Sequence, residues 1–487
     1  MAILSLWELW RLRHKGGLNA GCYLVFELGG MVMKNVCVPI DMPKLRCEAA
    51  FEKILLAVTV VILFSSANIY AKDGGQPRTF LWKSSNLAIV KQLYKQGDPE
   101  ATALVNGFAQ YGNSWMTKGP FSVTYKTQVP PSGDKHDYLS YGYYWWPNPD
   151  TNDGLPWVNR DGYGNPDNGI DGDSVNYLFQ SMLNLSMAYY LTDQEVYAQY
   201  AAFLLRTFFL DEATLMYPRT RYAEVIPGVR DGSCEVVAFA NLFPFIFEGA
   251  GILEKSPSWT QADKEGLQQW CRDYIVFMET EQICDIQRNE PSNHGSNYDF
   301  LAAFFALYAD DPNFARQKIL SYMQNRMPGQ IDANGANPLE MLRPNNLLYN
   351  TYNLQIMAKL AMLGDNFNDI DMWHYQMPDG RGMQLALEFM IPYITGQQQW
   401  PYWFRGTFGP DPERYYQLLR SAALGYDSWR YDRFAQQVQG INSYGYYWNA
   451  LYPRFAITTV SGDVDHNGEV DGQDFALMAS TWLTQKP

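Results

Sequence analysis

Recurring helical periodicity is the feature that most restricts how this chain can fold. From Asp173 onward, the stretches "DSVNYLFQSMLNLSMAYYL" and "DQEVYAQYAAFLLRTFFL" place apolar residues three and four positions apart, which is the spacing of one helix face. Asp173 and Ser174 stand where a helix N-cap is expected. Further segments with this periodicity span 259–280, 296–309, 312–325, 346–363, 380–394, 411–424 and 430–440.

Clusters of Gly, Pro, Asn and Asp separate these segments, as expected of loops between helices. No regular alternation of strands with helices is visible, which argues against a parallel α/β sheet. The sequence therefore predicts an all-α fold. Its helices, of about 12 to 20 residues, would pack as hairpins in either a bundle or a toroid.

The segment that precedes the first of these helices has a different composition. Residues 129–172 contain few helix formers and many Gly, Pro, Asp, Trp and Tyr residues. A loop of this length within a compact domain is usually functional or disordered, and the aromatic content argues against disorder. We expect this aromatic loop to form a lid or the wall of a cleft, with a structural crossover as the alternative.

The acidic balance of the chain limits its partners. A formal net charge of −14 disfavours nucleic acid, because phosphate binding requires a basic surface. It also provides no general attraction for a polyanion, so an acidic ligand needs local positive charge. Aromatic residues make up 15% of the chain, and amphipathic rings suit carbohydrate-binding clefts as well as cores.

An apolar run near the N-terminus predicts export. Residues 53–71 begin with a lysine, continue as an apolar run and end in small residues, which is the pattern of a secretory signal. A retained membrane anchor, which needs about 20 apolar residues, is the alternative. Because a signal begins near the start of a protein, we expect 42–71 to be the signal peptide and 1–41 to lie outside the expressed protein. The mature protein would be periplasmic, on the cell surface or secreted, with no integral membrane span.

Three of the six cysteines remain in the mature region, namely Cys234, Cys271 and Cys284. Their number is odd, and their spacing is unlike that of a metal site. A disulfide framework is therefore not expected, although an exported protein can hold one bridge.

The C-terminal segment carries a separate signal. After a linker at 456–462, residues 463–487 begin with "DVDHNGEVDGQD", which has oxygen ligands at alternating positions and a glycine for the sharp turn of a calcium loop. The predicted Ca²⁺ ligands are Asp463, Asp465, Asn467, Glu469, Asp471 and Asp474. The stretch resembles half of a type I dockerin, a module that uses two such loops to bind cohesin. The resemblance implies a cohesin-like or cell-surface partner, and an unliganded acidic turn is the alternative.

Few residues of the helical region are suited to catalysis. The chain has five histidines and no His-x-x-x-His, Cys-x-x-Cys or Gly-x-Ser-x-Gly motif, so zinc and serine hydrolysis are unsupported. Asn293 and His294 precede the predicted helix "YDFLAAFFALYA", where a histidine serves either the helix entrance or the chemistry. Further along, "PLEMLRPNNLLYNTYNL" supplies Arg343 and Tyr349.

Interpreted as one helix, this second cluster has two polar faces. Arg343 and Asn350 share one face, and Tyr349 and Asn353 share another. An arginine near a tyrosine favours the phenolate and lowers the phenol pKa from its usual value of about 10. A structural role is the alternative for Tyr349.

Five segments between about 135 and 400, in the same order, resemble the alginate lyase superfamily of polysaccharide lyases. They are "KHDYLSYGYYWWPNPD", "GLPWVNRDGYGNP", "MYPRTRYAEVIPGVRDG", "SNHGSNYD" and "LEMLRPNNLLYNTYNL". One departure is "PSNHG", where many members have two asparagines before the histidine. The resemblance implies that residues 72–455 form an α/α toroid, an incomplete barrel of helical hairpins with long aromatic lid loops.

The same resemblance implies β-elimination at a uronic acid, with loss of the C5 proton and expulsion of the oxygen at C4. The carboxylate beside that proton must be neutralised, a role that the family pattern gives to Asn293 and Arg343. Tyr349 would be the general acid, and His294 the base or the partner of Tyr349. In mannuronate and glucuronate one phenolate could perform both proton transfers. In guluronate the two groups lie on opposite faces, which favours His294 as the base.

Substrate contacts are expected from the aromatic loop and from arginines. Aromatic rings stack on sugars, and guanidinium groups pair with carboxylates; a structural ion pair is the alternative for each arginine. The predicted substrate-binding residues are His136, Tyr138, Tyr144, Trp145, Trp146, Arg160, Arg219, Arg221, Tyr222 and Arg230. No cofactor is expected for catalysis, because protein amides and a guanidinium can replace the calcium of other lyases.

The leading hypothesis is an exported lyase of an acidic, uronic-acid polysaccharide, with alginate as the default substrate and glucuronan or another uronan as the alternative. An inverting glycoside hydrolase would need two carboxylates about 6.5–9.5 Å apart, and Glu224, Asp231 and Glu340 are available. A non-catalytic carbohydrate-binding protein with a calcium module is the third hypothesis.

Overall fold

The computed structural model describes residues 76–403, 409–441 and 447–454, together with the backbone of two short strands near the N-terminus. The chain divides into two compact units, Met1–Gly74 and Gly75–Pro487. In the first unit, β1 (Cys22–Val25) and β2 (Lys34–Cys37) pair antiparallel. The predicted signal peptide, the linker and the calcium loop lie outside the described residues.

The second unit is mostly helical, which confirms the predicted fold class at that level. Polar residues stop several of these helices from fraying: the Asp98 carboxylate accepts a hydrogen bond from the first turn of one, and Thr260 and Asp263 form a capping box on another. The described helices are α1 (Ser84–Lys95), α2 (Pro99–Trp115), α3 (Gly172–Thr192), α4 (Glu195–Leu205), α5 (Val237–Leu253), α6 (Gln261–Thr280), α7 (Asp285–Asn289), α8 (Asn293–Tyr308), α9 (Pro312–Ser321), α10 (Met327–Gln330), α11 (Asn346–Gly364), α12 (Met383–Ile394), α13 (Pro412–Gly425), α14 (Trp429–Gln437) and α15 (Trp448–Leu451).

Five of these helices form the centre of the unit. Helices α3, α5, α8, α11 and α13 pack against one another in that order, and α2, α4, α6, α9, α12 and α14 each pack against one of the five. Helix α8 is buried over nearly its whole length, and α11 is buried from Asn350 to Gly364. A helix surrounded by other helices has no solvent face, which identifies these as inner helices and the others as their outer layer.

The periodicity did not predict α1, α2 or α5. Helix α5 is almost entirely apolar, with Phe239, Phe243, Phe245 and Phe247 buried and Pro244 in its interior. A continuous apolar run lacks the three-to-four spacing, and an internal proline argues against a helix. The absence of this spacing explains why α5 was not predicted from the sequence.

The aromatic loop contains three short strands. They are β3 (Leu139–Tyr141), β4 (Trp145–Trp146) and β5 (Val158–Asn159). Strands β4 and β5 pair antiparallel, whereas β3 pairs parallel with β6 (Tyr222–Val225). The loop is thereby attached to the segment between α4 and α5, at the side of the helical unit where the candidate site lies.

A buried ion pair fixes both ends of the aromatic loop. The Lys126 ammonium lies 2.8 Å from the Asp171 carboxylate, and both side chains are at most 2% exposed. Lys126 also donates to the carbonyl oxygens of Lys135 and Asp137 at 2.7 and 2.8 Å. Asp171 accepts a hydrogen bond from the Leu139 amide at 2.7 Å. These bonds hold the start of the loop against the start of α3.

The start of α3 corrects the predicted cap. The helix begins at Gly172 with Asp171 as its N-cap residue, and no side chain caps it. Asp173 and Ser174 therefore lie in the first turn instead of at the cap. The tertiary ion pair to Lys126 engages the Asp171 carboxylate, a contact that local sequence does not reveal.

The cysteines of the second unit are in two states. Cys234 and Cys284 form a disulfide, and Cys271 is a buried thiol. None of the helices in the described part of the chain combines the length and the apolar character needed to cross a membrane.

Candidate active site

The side chains of Arg343 and Tyr349 are in direct contact. The guanidinium carbon lies 3.9 Å from the centroid of the phenol ring. The hydroxyl oxygen of Tyr349 lies 2.5 Å from that of Tyr144. Tyr144 belongs to the aromatic loop and Tyr349 to the first turn of α11, so loop and helix bring a cation and two phenols together. A proton can pass between the two hydroxyl groups.

Asp161, also in the aromatic loop, orients Arg343. Its carboxylate accepts hydrogen bonds from Nη2 at 2.9 Å and from Nε at 3.1 Å. Such a two-point contact fixes the plane of the guanidinium group. Nη1 is the nitrogen that Asp161 does not engage, and it is the part of Arg343 suited to a further acceptor.

The backbone around Arg343 differs from the single helix predicted for this cluster. Glu340–Leu342 form one 3-10 turn, Arg343 is extended with φ −77° and ψ 147°, and α11 begins only at Asn346. Pro344 explains the interruption, because a proline disfavours helical geometry in the residue before it. Arg343 therefore reaches Tyr349 from the turn that leads into α11, and the predicted helix face is wrong.

Asn293 is buried at the first position of α8 and binds Glu340. Its backbone N–H and its Nδ2 both donate to Glu340 Oε1 at 2.7 Å. Asn293 Oδ1 and Glu340 Oε2 are buried and have no hydrogen-bond partner among the described residues. Burial raises the pKa of Glu340, which favours a neutral carboxyl group that could donate from Oε2.

His294 follows in the first turn of α8, and its ring contacts Gln287. Nδ1 lies 2.9 Å from Gln287 Oε1. Because an amide oxygen only accepts, Nδ1 carries the proton and Nε2 remains as the basic nitrogen. Burial lowers the pKa of His294, and the charge of Arg343 adds to this while Glu224 opposes it. The imidazole is therefore neutral at pH 7.

The glycine of the "NHG" motif has a steric explanation. A β-carbon at Gly295 would lie 1.9 Å from the carbonyl oxygen of Glu290 and 2.0 Å from Arg326 Nη1. Arg326 donates to that carbonyl and binds Asp299 through Nε at 2.8 Å. Only glycine leaves room for this guanidinium, which fixes the turn that precedes His294.

A cavity of about 490 Å³ lies beside these residues. His294, Arg343 and Glu340 form part of its wall. The other lining residues are Glu224, Arg230, Ile286, Gln287, Glu290, Ser292, Leu339 and Leu342. Asn293 lies behind Glu340, and Tyr349 lies against Arg343. The structure thus brings the four predicted catalytic residues to one cavity or directly behind its wall.

Both phenols of the cluster are neutral at pH 7. Burial raises the pKa of Tyr349, and the positive charge of Arg343 offsets only part of this effect. Burial also raises the pKa of Tyr144. The expected lowering by arginine is therefore present as a contribution but does not decide the net direction. Tyr349 can donate a proton as it stands, and it becomes a base only after losing that proton.

Two predicted substrate-binding residues, Trp146 and Arg160, contact each other. The Arg160 guanidinium lies 5.5 Å from the Trp146 ring, and Trp146 Nε1 donates to the Tyr163 carbonyl at 2.9 Å. Arg160 is exposed. The Trp145 ring covers Gly142, where a β-carbon would lie 2.6 Å away. These residues shape the surface of the aromatic loop and do not line the 490 Å³ cavity.

Tyr138 and His136 have packing roles where sugar contacts were predicted. Tyr138 is 4% exposed, and its ring meets Phe239 edge-on at 4.8 Å. His136 Nδ1 lies 2.6 Å from the carbonyl oxygen of Leu215, and its ring stacks on Tyr217. Both side chains attach the aromatic loop to the helical unit, because each is engaged by residues of neighbouring segments.

Three predicted arginines form ion pairs instead of standing free. The pairs are Arg219 with Asp137, Arg221 with Glu281, and Arg230 with Glu224. Of these three arginines, only Arg230 lines the cavity. Tyr222 pairs with Leu139 in the β3–β6 sheet and does not line it. Within the described residues, Arg160 is the predicted substrate-binding arginine without an ion pair.

Sequence patterns did not predict Asp161 or Gln287. Asp161 lies 182 positions from its partner Arg343, and no motif joins a carboxylate to an arginine over such a distance. The structure adds one more indication at Glu224, which lines the cavity and has a left-handed φ of 49°. Backbone strain in a non-glycine residue is concentrated at functional sites. Of the carboxylates available to a hydrolase, Glu224 pairs with Arg230 and Glu340 accepts hydrogen bonds from Asn293.

The predicted metal ligands cannot be placed. Asp463 and the other residues of the calcium loop lie outside the described residues. Among the residues that are described, no group of three or more His, Cys, Asp or Glu side chains is arranged to hold a metal ion.

Fold and site together define a helical enzyme with a phenol, a guanidinium and an imidazole at one cavity. A model of the family described as alginate lyase matches residues 122–400, more than half of the chain. The chain belongs to the alginate lyase family and is a polysaccharide lyase.

A solved structure agrees with this assignment. A crystal structure of an alginate lyase from Bacteroides ovatus has a TM-score of 0.73 and 29% sequence identity, covering 78% of this chain and 100% of that one. Alginate lyase A1-III from Sphingomonas species A1 has a TM-score of 0.44 and 15% identity, covering 72% and 94%; this likeness is too low to support an argument. No curated protein matches the chain.

Proposed function

We propose that this protein is an exported lyase that cleaves a uronic-acid polysaccharide, alginate foremost, by β-elimination. The product would carry a 4,5-unsaturated non-reducing end. The order in which the inner helices pack, each with an outer neighbour, supports an incomplete α/α toroid as the catalytic domain. Glucuronan or another uronan is the alternative substrate.

Arg343 is the group proposed to neutralise the substrate carboxylate. Its charge is fixed, its Nε and Nη2 are held by Asp161, and its Nη1 side is left for the sugar. Such a preorganised cation stabilises the charge that develops when the C5 proton leaves. Asn293 Nδ2 already donates a hydrogen bond to Glu340. Asn293 can therefore bind the substrate carboxylate only when the substrate displaces this hydrogen bond.

Tyr349 is proposed as the general acid. Burial keeps its phenol protonated, as the acid of an elimination requires before the C4 oxygen leaves. The Tyr144 hydroxyl at 2.5 Å can restore the proton. On mannuronate or glucuronate, where proton and leaving oxygen share a face, a Tyr349 phenolate would serve first as base and then as acid.

His294 is proposed as the base on guluronate, where the proton lies on the opposite face. The hydrogen bond from Nδ1 to Gln287 leaves Nε2 as the basic nitrogen, and the lowered pKa keeps the ring neutral. On the other epimers His294 would act as a partner of the tyrosine.

The observation that carries the proposal is the contact of Arg343 with Tyr349 at 3.9 Å. A carboxylate held by this guanidinium places the neighbouring sugar carbons close to the phenol. The test is to incubate the protein separately with polymannuronate, polyguluronate and glucuronan and to follow the ultraviolet absorbance of the unsaturated product. Absorbance that rises with at least one polymer is expected. Cleavage that yields reducing ends without absorbance would indicate a hydrolase and contradict the proposal.

Export and the C-terminal loop form a separate part of the proposal. The Cys234–Cys284 disulfide supports an oxidising compartment, because such bonds are rare in the cytosol. The loop at 463–474 has the ligand spacing for Ca²⁺ and would present a cohesin-like or cell-surface partner with a folded turn. N-terminal sequencing of the secreted protein, with a start near residue 68 or 72 as the expected result, tests the export assignment.

A further inference from the structure

A second cavity, of about 200 Å³, lies among the inner helices and is separate in lining from the catalytic one. The inner helices α3, α5 and α11, the start of α13 and the short helix α15 contribute to it. Its lining includes Asn241, Phe245, Gln355, Lys359, Arg414 and Trp448. None of them has a role in the proposed reaction.

Lys359 is the unusual member of this lining. Its side chain is 3% exposed, and its ammonium nitrogen has one hydrogen bond, to Asn241 Oδ1 at a long 3.4 Å. Two rings, Phe245 and Phe300, lie 5.5 Å from that nitrogen. Burial lowers the pKa of Lys359 to about 7, and the charge of Arg414 adds to the effect. A buried amine without a carboxylate partner is costly, and such groups concentrate at binding sites.

The rest of the wall supplies one more cation and several amides. Arg414 binds Asp411 through Nε at 3.1 Å and donates from Nη1 to Gln355 Oε1 at 2.6 Å. Glu413 is a second carboxyl group in the lining beside Asp411; burial raises its pKa, and the charge of Asp411 adds to this. Arg414 and Asp411 offset each other, which leaves Lys359, among the described residues, as the lining cation without a carboxylate partner and Glu413 as the opposing carboxyl group. A charged Lys359 is therefore the group in this wall that can bind an anion.

We propose that this second cavity binds a single uronate residue, with its carboxylate on Lys359. The amides of Asn241, Gln355 and Gln417 would meet the sugar hydroxyls, and the rings of Phe245 and Trp448 would cover its apolar faces. The substrate class rests on the function proposed above. The uronate could belong to a polymer chain or be a released monosaccharide, since both present the same carboxylate.

Binding of a carboxylate should return a proton to Lys359. Above pH 7 the amine is largely neutral, and an adjacent anion favours its charged form. Uronate binding should therefore take up close to one proton at pH 8, and its affinity should fall as the pH rises further. Arg343 in the catalytic cavity keeps its charge throughout. Any uptake there by His294 would persist when Lys359 is replaced, whereas uptake at Lys359 would be lost.

The test is calorimetric titration of the Tyr349→Phe protein, which cannot turn over, with glucuronate at pH 8 in two buffers of different ionisation enthalpy. Glucose is the neutral control ligand. Lys359→Met removes the amine at similar volume, and Lys95→Met, at a 62% exposed side chain, is the matched control. We expect proton-linked binding of glucuronate and not of glucose. Lys359→Met should lose the uptake and weaken the binding roughly 10- to 100-fold, the value of a hydrogen bond to a charged group.

Two results would overturn the proposal. The first is a Lys359→Met protein that has a folded circular dichroism spectrum and binds glucuronate with unchanged proton uptake. The second is glucose that binds as tightly as glucuronate. A trisaccharide that binds more tightly than glucuronate, with the difference lost in Lys359→Met, would identify the polymer chain as the source. Equal affinities would identify the free monosaccharide. Turnover is not needed for any of these readouts. A protein with native Tyr349 that cleaves no uronan would contradict the proposed function, whereas proton-linked uronate binding at Lys359 would still support this inference.

Discussion

The guanidinium of Arg343 lies over the ring of Tyr349, with its central carbon 3.9 Å from the ring centroid, and the Asp161 carboxylate holds it through two hydrogen bonds. The cation is thus fixed before a substrate arrives. Preorganisation of this kind removes the cost of reorienting charge during the reaction. Three residues from a loop, a turn and a helix depend on one another for this geometry, which makes the cluster sensitive to single substitutions.

Tyr349→Phe should abolish turnover and keep substrate binding. The ring and its contact with Arg343 remain, whereas the proton donor is lost, and general acid catalysis contributes about 10²- to 10⁴-fold. Initial rates from product absorbance should therefore fall by at least about 10²-fold with KM changed little. Tyr143→Phe, at a 40% exposed tyrosine of the same loop, is the control. Retention of more than a tenth of the activity would contradict the role of Tyr349.

Asp161→Asn should lower kcat by about 10- to 100-fold, because the two charge-assisted hydrogen bonds that orient Arg343 are weakened. Asp161 is a positioning residue, so its replacement should loosen the orientation of Arg343 without removing the general acid Tyr349. Asp150→Asn, at an exposed position of the same loop, should leave kcat unchanged. Identical kinetics of the two variants would show that Asp161 does not position the arginine.

The acid limb of the pH profile should report His294 on a guluronate polymer. Burial lowers the pKa of His294 below its ordinary value, which is about 6.5. The base is active when neutral, so kcat/KM should stay high as the pH falls to 6.5 and decline only below it. His294→Gln should lose this limb together with most of the rate. A limb centred above pH 6.5 would mean that another group is the base.

Asp171→Asn should destabilise the protein by about 3–5 kcal/mol, because Lys126 would be left as a buried charge without its partner. The free energy of unfolding from urea denaturation measures the loss. Asp193→Asn breaks the ion pair of an exposed carboxylate with Lys91 and should cost at most about 1 kcal/mol. Equal losses in the two variants would remove the special role given to the buried pair.

The disulfide can be checked by counting thiols. Denatured mature protein should react at one thiol, Cys271, without reductant and at three after reduction. The Cys234–Cys284 bond closes a separation of 50 residues, and replacing both cysteines with alanine should lower the free energy of unfolding by about 2–5 kcal/mol. Three reactive thiols before reduction would show that the bond does not form.

Sequence reasoning reached the fold class and several helix boundaries, because three-to-four spacing of apolar residues marks a helix wherever polar residues interrupt it. It failed at α5, where Phe243 and its neighbours are buried on every side. It also failed at Arg343, which Pro344 keeps out of α11. For α5 the cause is burial by helices from other parts of the chain, which removes the polar face. For Arg343 the cause is the neighbouring proline, which the helix-face argument did not take into account.

The sequence by itself determined which chemical groups are present and which family the chain resembles, since Asn293, His294, Arg343 and Tyr349 stand in recognisable motifs. Only the tertiary structure decided how they are used. It paired Arg343 with Asp161 and His294 with Gln287, withdrew Tyr138 into the core, and buried Lys359. Charge state and orientation depend on burial and on neighbours far along the chain, and local patterns carry no information about either.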